Sequence, residues 1–397
     1  MQEKGRYPSF RILCVVTGCG GGDWHPLLAL AAGLHRRGHA LTVVCDRSTL
    51  QHIQASGLTP LCLPSGLDLA HVFEPALSHL LSRQERLFPG DENPLEQWGI
   101  ACVDFVKTSL NGWHPSLVIT SLLAVGLGAI LARSLAAPWC FLNPSFYFDS
   151  PQGHLRDEDF SEMGVQMYRH WLLPLVKRAN LVLHATDQAF DICPALLSSR
   201  HRYVGPMFWE MPGNSQEFLK KSGWPWVLVA LSTSPQPGDL TIVRTALKAL
   251  ESLEFRILVT LAAGHDQGDL GRIATNVHVT GYIPHSKVLP HCRLVISHAG
   301  HGIVMKSMVH GIPMVLVPWG RDQPGVAARA GRLGTAVVVS QRGCCVDALV
   351  DTIQMILNDE KYLQKAQVVS NRLRNMDGVA NAVDHIEQFL KNSEGLS

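Results

Sequence analysis

Residues 295–330 read VISHAGHGIVMKSMVHGIPMVLVPWGRDQPGVAARA, and their pattern is that of one β-α-β unit. An apolar strand leads into the glycine-rich turn His298-Ala299-Gly300-His301-Gly302, and a helix-length run follows until Gly311. A second apolar strand, Met314 to Val317, comes next. The unpaired N–H groups at the start of a helix, together with the helix dipole, form a site for an anion. The unit therefore predicts a phosphate-binding turn.

The side chains around this turn suit a diphosphate joined to a sugar. Gly300 and Gly302 let the backbone approach a phosphate closely, and His298 can donate a hydrogen bond to it. Asp322 and Gln323, beyond the second strand, supply acceptors and donors for sugar hydroxyls. A glycine-rich turn alone is common in α/β folds, so the interpretation depends on the combination of turn, helix and Asp-Gln pair.

The block from H-x-G-x-G to D-Q resembles the donor-nucleotide motif of GT-B glycosyltransferases of family 1, which include antibiotic, sterol and plant natural-product enzymes. The resemblance extends over nearly the whole chain. It implies an α/β protein of GT-B architecture, with two Rossmann-like domains whose parallel sheets face a cleft. It also implies that the C-terminal domain binds an NDP-sugar and that the N-terminal domain binds the acceptor.

The 397 residues suggest two domains, and the α/β pattern indeed occurs twice along the chain. We predict an acceptor-binding Rossmann-like domain over residues 1–210, a linker over 211–224 and an NDP-sugar-binding Rossmann-like domain over 225–379. The resemblance implies that the last helix, residues 380–397, crosses back to the first domain. The first turn lacks the G-x-G-x-x-G fingerprint of dinucleotide binding, although Asp46 lies near the place of its acidic residue.

Composition limits the classes of partner. A formal net charge of +1 gives no indication of nucleic acid as a partner. The most apolar long segment, 117–142, is interrupted by polar residues and Pro138, so we expect at most peripheral membrane contact. Ten cysteines without a C-x-x-C pair are typical of free thiols in a reducing cytoplasm, which we predict as the location. We expect no metal site and no cofactor, since the NDP-sugar is a co-substrate.

Sugar transfer with inversion needs a base for the acceptor hydroxyl, and the loop Gly22-Asp23-Trp24-His25-Pro26 offers two candidates. Many family members read G-H-x-x-P with histidine as the base. Aligned on Pro26, Asp23 takes that place, as in glycopeptide-antibiotic, sterol and rhamnolipid-type enzymes, and His25 is the second candidate. The histidine enzymes also use an acid where this chain has Ser121, a departure that agrees with an aspartate base. Alternatively, Asp23 caps a helix that begins near Pro26.

The resemblance assigns further donor-binding residues. Thr233 matches a hydroxyl near the phosphates, Tyr282 matches an aromatic residue that stacks on the nucleobase, and Ile283 would offer its backbone to the base. A role of Tyr282 in the core is the alternative. Two positions depart from the family: Ile303 replaces a hydroxyl that touches phosphate, and Lys306 replaces a glutamate that accepts from the ribose hydroxyls. Because a lysine cannot accept a hydrogen bond, both UDP and dTDP remain open.

An apolar acceptor pocket is the last predicted feature, and its candidate residues are Trp24, Phe146, Met163 and Met167, with hydrophobic core as the alternative. The expected function is metal-independent, inverting hexosyl transfer from a UDP- or dTDP-sugar to a hydroxyl of an apolar natural product, lipid or sterol. The alternatives are a nucleotide-sugar 2-epimerase of the same fold and an inactive auxiliary protein, which the altered Ile303 and Lys306 would suit.

Overall fold

The computed structural model describes residues 9–18, 21–71, 92–147, 167–192, 197–211, 219, 224–231, 238–262 and 264–394. These residues form two compact units. The first contains the described residues up to Trp209 together with those from Met376 onward, and the second contains those of Glu210–Asn375. Each unit has its own parallel sheet with helices against it, which confirms the predicted α/β class with two Rossmann-like domains.

The first unit is built on a seven-stranded parallel sheet in the order β3-β2-β1-β4-β5-β6-β7. Its strands are β1 Arg11–Val15, β2 Ala40–Cys45, β3 Thr59–Cys62, β4 Leu117–Thr120, β5 Trp139–Asn143, β6 Leu181–His184 and β7 His201–Tyr203. The central strands are nearly continuous apolar runs because both faces of such a sheet are covered. The strands after β1 are added on one side of it and the strands after β4 on the other side, so the strand order reverses between these two neighbours. The loops that follow them therefore open a crevice at the carboxyl edge of the sheet.

The helices of the first unit connect these strands. They are α1 Gly21–Arg36, α2 Leu50–Ala55, α3 Pro94–Leu110, α4 Val125–Ser134 and, after a π-helical segment Met167–Leu172, α5 Leu173–Val176. Helices α3 and α4 pack unusually closely, because a Cβ atom at Gly126 would lie only 1.8 Å from the carbonyl oxygen of Leu95. Only glycine permits this approach.

The second unit repeats the architecture with six parallel strands in the order β10-β9-β8-β11-β12-β13. These are β8 Trp226–Ala230, β9 Arg256–Thr260, β10 Val277–Thr280, β11 Cys292–Ser297, β12 Met314–Leu316 and β13 Ala336–Val338. Its helices are α6 Asp239–Leu250, α7 His285–Val288, α8 His301–His310, α9 Gln323–Arg332, α10 Val346–Asn358 and α11 Glu360–Arg374. Here the strand order reverses between β8 and β11, and this again opens a crevice at their carboxyl ends.

The last helix, α12 Gly378–Glu394, packs on α1 in the first unit. Glu387 is fully buried there and accepts hydrogen bonds from Arg37, at 3.1 Å, and from His39, at 3.0 Å. The backbone N–H of Phe10 donates to Nδ1 of His39, at 3.2 Å, so the ring proton lies on Nε2 and faces Glu387. Since an unpaired buried carboxylate is strongly destabilising, these partners are needed to hold the helix in place.

Helix α1 and strand β7 are among the elements that differ from the sequence-based expectation. Helix α1 begins at Gly21, five residues before the expected start at Pro26, so its first turn contains Asp23. Strand β7 was not expected at all. It has only three residues, it is partly polar and it lies at the edge of the sheet, so it carries little of the apolar pattern that identifies a buried strand.

Candidate active site

Asp23 lies at the crevice of the first unit. Its carboxylate accepts hydrogen bonds from Ser121 Oγ, at 2.8 Å, and from the backbone N–H groups of Leu122 and Leu123, at 2.8 and 3.2 Å. Ser121 directly follows β4, the strand beside β1, so the reversal of strand order brings the two segments together. The capping interpretation of Asp23 is therefore wrong, because its oxygens serve the loop after β4 and the helix begins before it. The carboxylate is only 8% exposed and is held in a single orientation.

His25, the second candidate base, faces a different direction. Two residues along a helix correspond to a rotation of roughly 200°, so Asp23 and His25 do not share a face of α1. The imidazole lies among aromatic rings, with its centroid 4.1 Å from the Trp24 ring and 5.8 Å from the Trp209 ring. The two side chains therefore project from different faces of α1, and only Asp23 is held by the loop after β4.

Trp24 belongs to a ring cluster in the first unit. Its indole is buried and lies 4.9 Å from the His52 ring and 6.3 Å from the Trp209 ring, centroid to centroid. Burial lowers the pKa of His52, which keeps this ring neutral. Trp209 and His52 were not singled out from the sequence, because nothing in their local patterns connects residues so far apart along the chain.

Asp46 organises the loop that follows β1. Its carboxylate accepts from the backbone N–H of Gly18, at 2.5 Å, from Ser48 Oγ, at 2.6 Å, and from both the N–H and the hydroxyl of Thr49, at 3.2 Å. These four donors occupy an acceptor that a dinucleotide would need for its ribose. The geometry thus gives no support to the dinucleotide alternative.

The tentative acceptor-binding residues have different environments. Phe146 is only 1% exposed, so it packs in the core and does not line a surface pocket. Met167 is half-buried at the start of the π-helical segment. Such segments are rare and frequently occur at functional sites. Met163 lies outside the described residues.

A buried polar network lies next to Phe146, and no local sequence pattern predicted it. Asn143 donates to the Phe146 carbonyl, at 2.8 Å, and contacts His184 Nδ1, at 3.2 Å, while His184 Nε2 lies 2.9 Å from His201 Nδ1. Burial lowers the pKa of His184 to about 3 and that of His201 to about 4; the nearby His201 adds to the effect on His184, and Arg200 to that on His201. Both rings are therefore neutral at neutral pH.

In the second unit, His298 follows β11 at the crevice beside β8. The ring is 5% exposed, and its Nδ1 lies 3.4 Å from the carbonyl oxygen of Ala230, the last residue of β8. Burial lowers the pKa of His298 to about 4; the bond to Ala230 opposes this effect and the charge of Arg321 reinforces it. The ring is thus neutral, and the Ala230 carbonyl favours the tautomer with the proton on Nδ1.

The start of α8 is shaped for close approach. A Cβ atom at Gly300 would lie 2.6 Å from His298 Nε2, so that nitrogen is directed at the cap of the helix. A Cβ atom at Gly302 would meet nothing within 4 Å among the described residues, so there is room beside the first turn. Ala299 and Arg321 adopt left-handed backbone conformations, with φ of 68° and 57°. Such strain in residues other than glycine is frequently found at functional sites.

Tyr282 and Ile283 follow strand β10 in the second unit. The Tyr282 hydroxyl accepts a hydrogen bond from the Met211 N–H, at 2.8 Å, and donates one to the Met211 carbonyl, at 3.4 Å. Tyr282 is nevertheless 57% exposed, so the core alternative for this residue is wrong. Ile283 is buried and can offer only its backbone to a ligand.

The Asp322-Gln323 pair is divided between surface and interior. Asp322 precedes α9 and is half-buried, whereas Gln323 is only 2% exposed. The Gln323 Oε1 accepts hydrogen bonds from the N–H groups of Trp319, at 2.9 Å, and Gly320, at 3.0 Å. The amide oxygen of Gln323 thus holds the loop before α9, and only its NH2 group could serve a sugar hydroxyl.

The remaining donor-side positions are Ile303, Lys306 and Thr233. Ile303 is buried, so the first turn of α8 can offer only backbone groups at this position. Lys306 Nζ lies 2.6 Å from Oε1 of Glu210, a residue that the sequence did not single out. Thr233 lies outside the described residues.

The described part of the chain contains no cluster of three or more His, Cys, Asp or Glu side chains that could hold a metal ion. No helix in it is long and apolar enough to cross a membrane.

The known proteins that this chain resembles are glycosyltransferases and a related biosynthesis protein family. Residues 244–383 match the family model described as the C-terminal domain of erythromycin biosynthesis protein CIII-like proteins. NDP-glycosyltransferase YjiC of Bacillus subtilis (strain 168) is 22% identical over 387 residues, which cover 94% of this chain and 95% of that protein.

Solved structures share the fold. CalG4, the calicheamicin glycosyltransferase, superimposes with a TM-score of 0.73 at 20% identity and covers 96% of this chain and 98% of its own. Glycosyltransferase VinC, solved in complex with dTDP, gives a TM-score of 0.71 at 17% identity and covers 96% of this chain and 100% of its own. The two Rossmann-like units, with this glycine-rich turn in the second, thus have the GT-B fold of these glycosyltransferases. Residues 244–383 are similar to the C-terminal domain of the erythromycin biosynthesis protein CIII-like family, and the whole chain is similar to NDP-glycosyltransferase YjiC.

Proposed function

We propose that this enzyme transfers a sugar from a UDP- or dTDP-sugar to a hydroxyl group of an apolar small molecule, with inversion at the anomeric carbon. The observation that carries the proposal is the oriented, buried carboxylate of Asp23 at the crevice of the first unit, in the position of the family's base. The relatives' names support a natural-product acceptor and a nucleoside diphosphate donor. We expect the reaction to take place in the cytoplasm.

The chemistry assigned to Asp23 is general base catalysis. Asp23 takes the proton of the acceptor hydroxyl as that oxygen attacks the anomeric carbon and the bond from this carbon to the diphosphate oxygen breaks. The products are the glycoside and the nucleoside diphosphate, and the proton on Asp23 then passes to solvent. The hydrogen bonds from Ser121, Leu122 and Leu123 keep the carboxylate in position for this step.

The departing diphosphate would be stabilised by the start of α8. The N–H groups of the first helical turn and the helix dipole attract its negative charge, and Gly302 leaves room for it. His298 Nε2, directed at Gly300, can donate to a phosphate oxygen once the ring carries a proton there. An adjacent anion favours that proton, because opposite charge stabilises the imidazolium. These groups supply the positive charge that a metal ion provides in other enzymes, so we propose that no metal is needed.

A product assay tests the proposal. The purified full chain is incubated with UDP-glucose or dTDP-glucose and a panel of apolar aglycones, and products are detected by mass spectrometry. We expect a glycoside whose anomeric configuration, determined by NMR, is opposite to that of the donor. A glycoside with retained configuration would contradict the inverting mechanism. Release of nucleotide without any glycoside, across the panel and both donors, would contradict sugar transfer itself.

A further inference from the structure

Glu210 is the centre of a polar cluster in the second unit, beside α8. Its carboxylate is paired with Lys306 Nζ, at 2.6 Å, and accepts hydrogen bonds from the hydroxyl and the backbone N–H of Ser286, the latter at 3.3 Å to each oxygen. The side chains of Glu210 and Lys306 are largely buried, at 14% and 16% exposure. The carboxylate is therefore held from two sides, by α8 and by α7.

The charge of Glu210 is secured by the same contacts. Burial alone would raise the pKa of this carboxyl group, but the charge of Lys306 and the hydrogen bonds from Lys306 and Ser286 outweigh burial and lower it. Lys306 cannot itself accept a hydrogen bond, but it holds the carboxylate of Glu210, which can. A carboxylate offers about four acceptor positions. The ammonium and the Ser286 hydroxyl take one each and the Ser286 N–H is shared, so acceptor capacity remains.

The position of Glu210 matches the middle of a bound nucleotide. Met211, the next residue, holds the hydroxyl of Tyr282, whose exposed ring is the proposed platform for the base. Lys306 lies four residues after Gly302 on α8, which is about one turn, or roughly 6 Å, from the proposed diphosphate site. Because a ribose joins the base to the diphosphate, it must lie between Tyr282 and Gly302. Glu210 is connected to both sides, since it precedes Met211, which binds Tyr282, and pairs with Lys306 on α8.

We infer that Glu210 accepts hydrogen bonds from the ribose hydroxyls of the donor and thereby makes this enzyme select ribonucleotide donors, such as UDP-sugars, over deoxyribonucleotide donors. This inference rests on the proposed function, since it assumes a nucleoside diphosphate at this site. The 2′-hydroxyl is the group that distinguishes the two classes of donor. Without it, a buried charged acceptor loses a hydrogen bond and gains nothing in return.

The test compares UDP with 2′-deoxy-UDP, which differ by one hydroxyl. Isothermal titration calorimetry on the wild-type protein should show that UDP binds about 10- to 100-fold more tightly, as expected for one hydrogen bond to a charged group. In Glu210→Gln, which keeps the shape of the side chain, this ratio should fall close to one. Glu251→Gln, which changes an exposed glutamate at the end of α6, is the matched control and should keep the wild-type ratio.

The outcomes separate the inference from the function on which it rests. If the wild-type protein binds neither nucleotide, the proposed function fails. If it binds both with equal affinity, the function stands and the selective role of Glu210 is overturned. If Glu210→Gln weakens both ligands equally and keeps the ratio, Glu210 only anchors the polypeptide, which also overturns the inference. If Glu210→Gln does not fold, Glu210→Asp replaces it: this variant keeps the charge but shortens the side chain by one methylene, so it should also lower the ratio, and an unchanged ratio would overturn the inference.

Discussion

Replacement of Asp23 by asparagine should affect both stability and catalysis, for separate physical reasons. The carboxylate oxygens accept from two backbone N–H groups, Leu122 at Oδ1 and Leu123 at Oδ2, in addition to the Ser121 hydroxyl. An asparagine has one carbonyl oxygen and one NH2 group. Whichever way the amide is turned, its NH2 group faces one of the two N–H groups, which then loses its acceptor in a buried site.

The size of the effect follows from that lost acceptor. A buried donor without a partner costs about 1–3 kcal/mol of the free energy of unfolding. For a domain of this size each kcal/mol lowers Tm by about 2–4 °C, so Asp23→Asn should melt roughly 2–12 °C below the wild type. Because the amide cannot take a proton, kcat should also fall by a factor of roughly 10² to 10⁴. The affinity for UDP should barely change, since Asp23 belongs to the other unit.

The assays are thermal unfolding by circular dichroism and initial rates of glycoside formation, measured well below both melting temperatures. Ser121→Ala is the matched control. It removes one donor but leaves no backbone group unpaired, so it should cost only about 0.5–1.5 kcal/mol and retain most of kcat. His25→Ala should also retain activity if Asp23 is the base.

Three results would refute this reasoning in different ways. An unchanged Tm in Asp23→Asn would show that the carboxylate does not hold the loop after β4. A lowered Tm with normal kcat would reduce Asp23 to a structural role. Near-normal kcat in Asp23→Asn, together with loss of activity in His25→Ala, would make His25 the base.

Three further predictions concern the donor site, metal and pH. His298→Ala should weaken UDP binding by about 1.5–3 kcal/mol, because it removes a hydrogen bond to a charged ligand; unchanged affinity by calorimetry would argue against the site. The same titrations, repeated in buffers of different ionisation enthalpy, should detect less proton uptake on binding in the variant than in the wild type. Activity should survive incubation with EDTA, and a strict requirement for Mg²⁺ or Mn²⁺ would contradict a diphosphate site built on α8 and His298. The protein should lose stability in mild acid, because burial lowers the pKa of His184 to about 3 in the folded state, below the ordinary histidine value of 6.5. The neutral ring contributes its full stability above the pKa of the unfolded chain. That contribution is lost as the pH falls from there towards the folded pKa, at about 1.4 kcal/mol per pH unit for this residue. Urea unfolding at several pH values measures this slope, and equal stability at about pH 7 and about pH 5 would contradict the burial of neutral His184.

The sequence alone determined the class of fold, and it also predicted a location for the donor site. Long apolar strands that alternate with helices predict parallel sheets, and the turn from His298 to Gly302 with the helix after it is a local pattern. Such patterns can be recognised because strand and helix periodicity depend on residues close together in the chain. Where the local pattern was weak, the prediction failed, as at the short edge strand β7 and at the true start of α1.

Only the tertiary structure determined what the site residues touch. The bond between Ser121 and Asp23 joins residues 98 positions apart, the bond between Lys306 and Glu210 joins residues 96 apart, and that between His298 and Ala230 joins residues 68 apart. In the sequence, Ser121 stands where the histidine enzymes have an acid, and Lys306 stands where the family has a glutamate. In the structure, Ser121 positions the proposed base Asp23, and Lys306 holds the carboxylate of Glu210. The physical reason is the parallel sheet. Neighbouring strands in it are joined by long crossovers, so the loops that meet at its carboxyl edge come from distant parts of the chain.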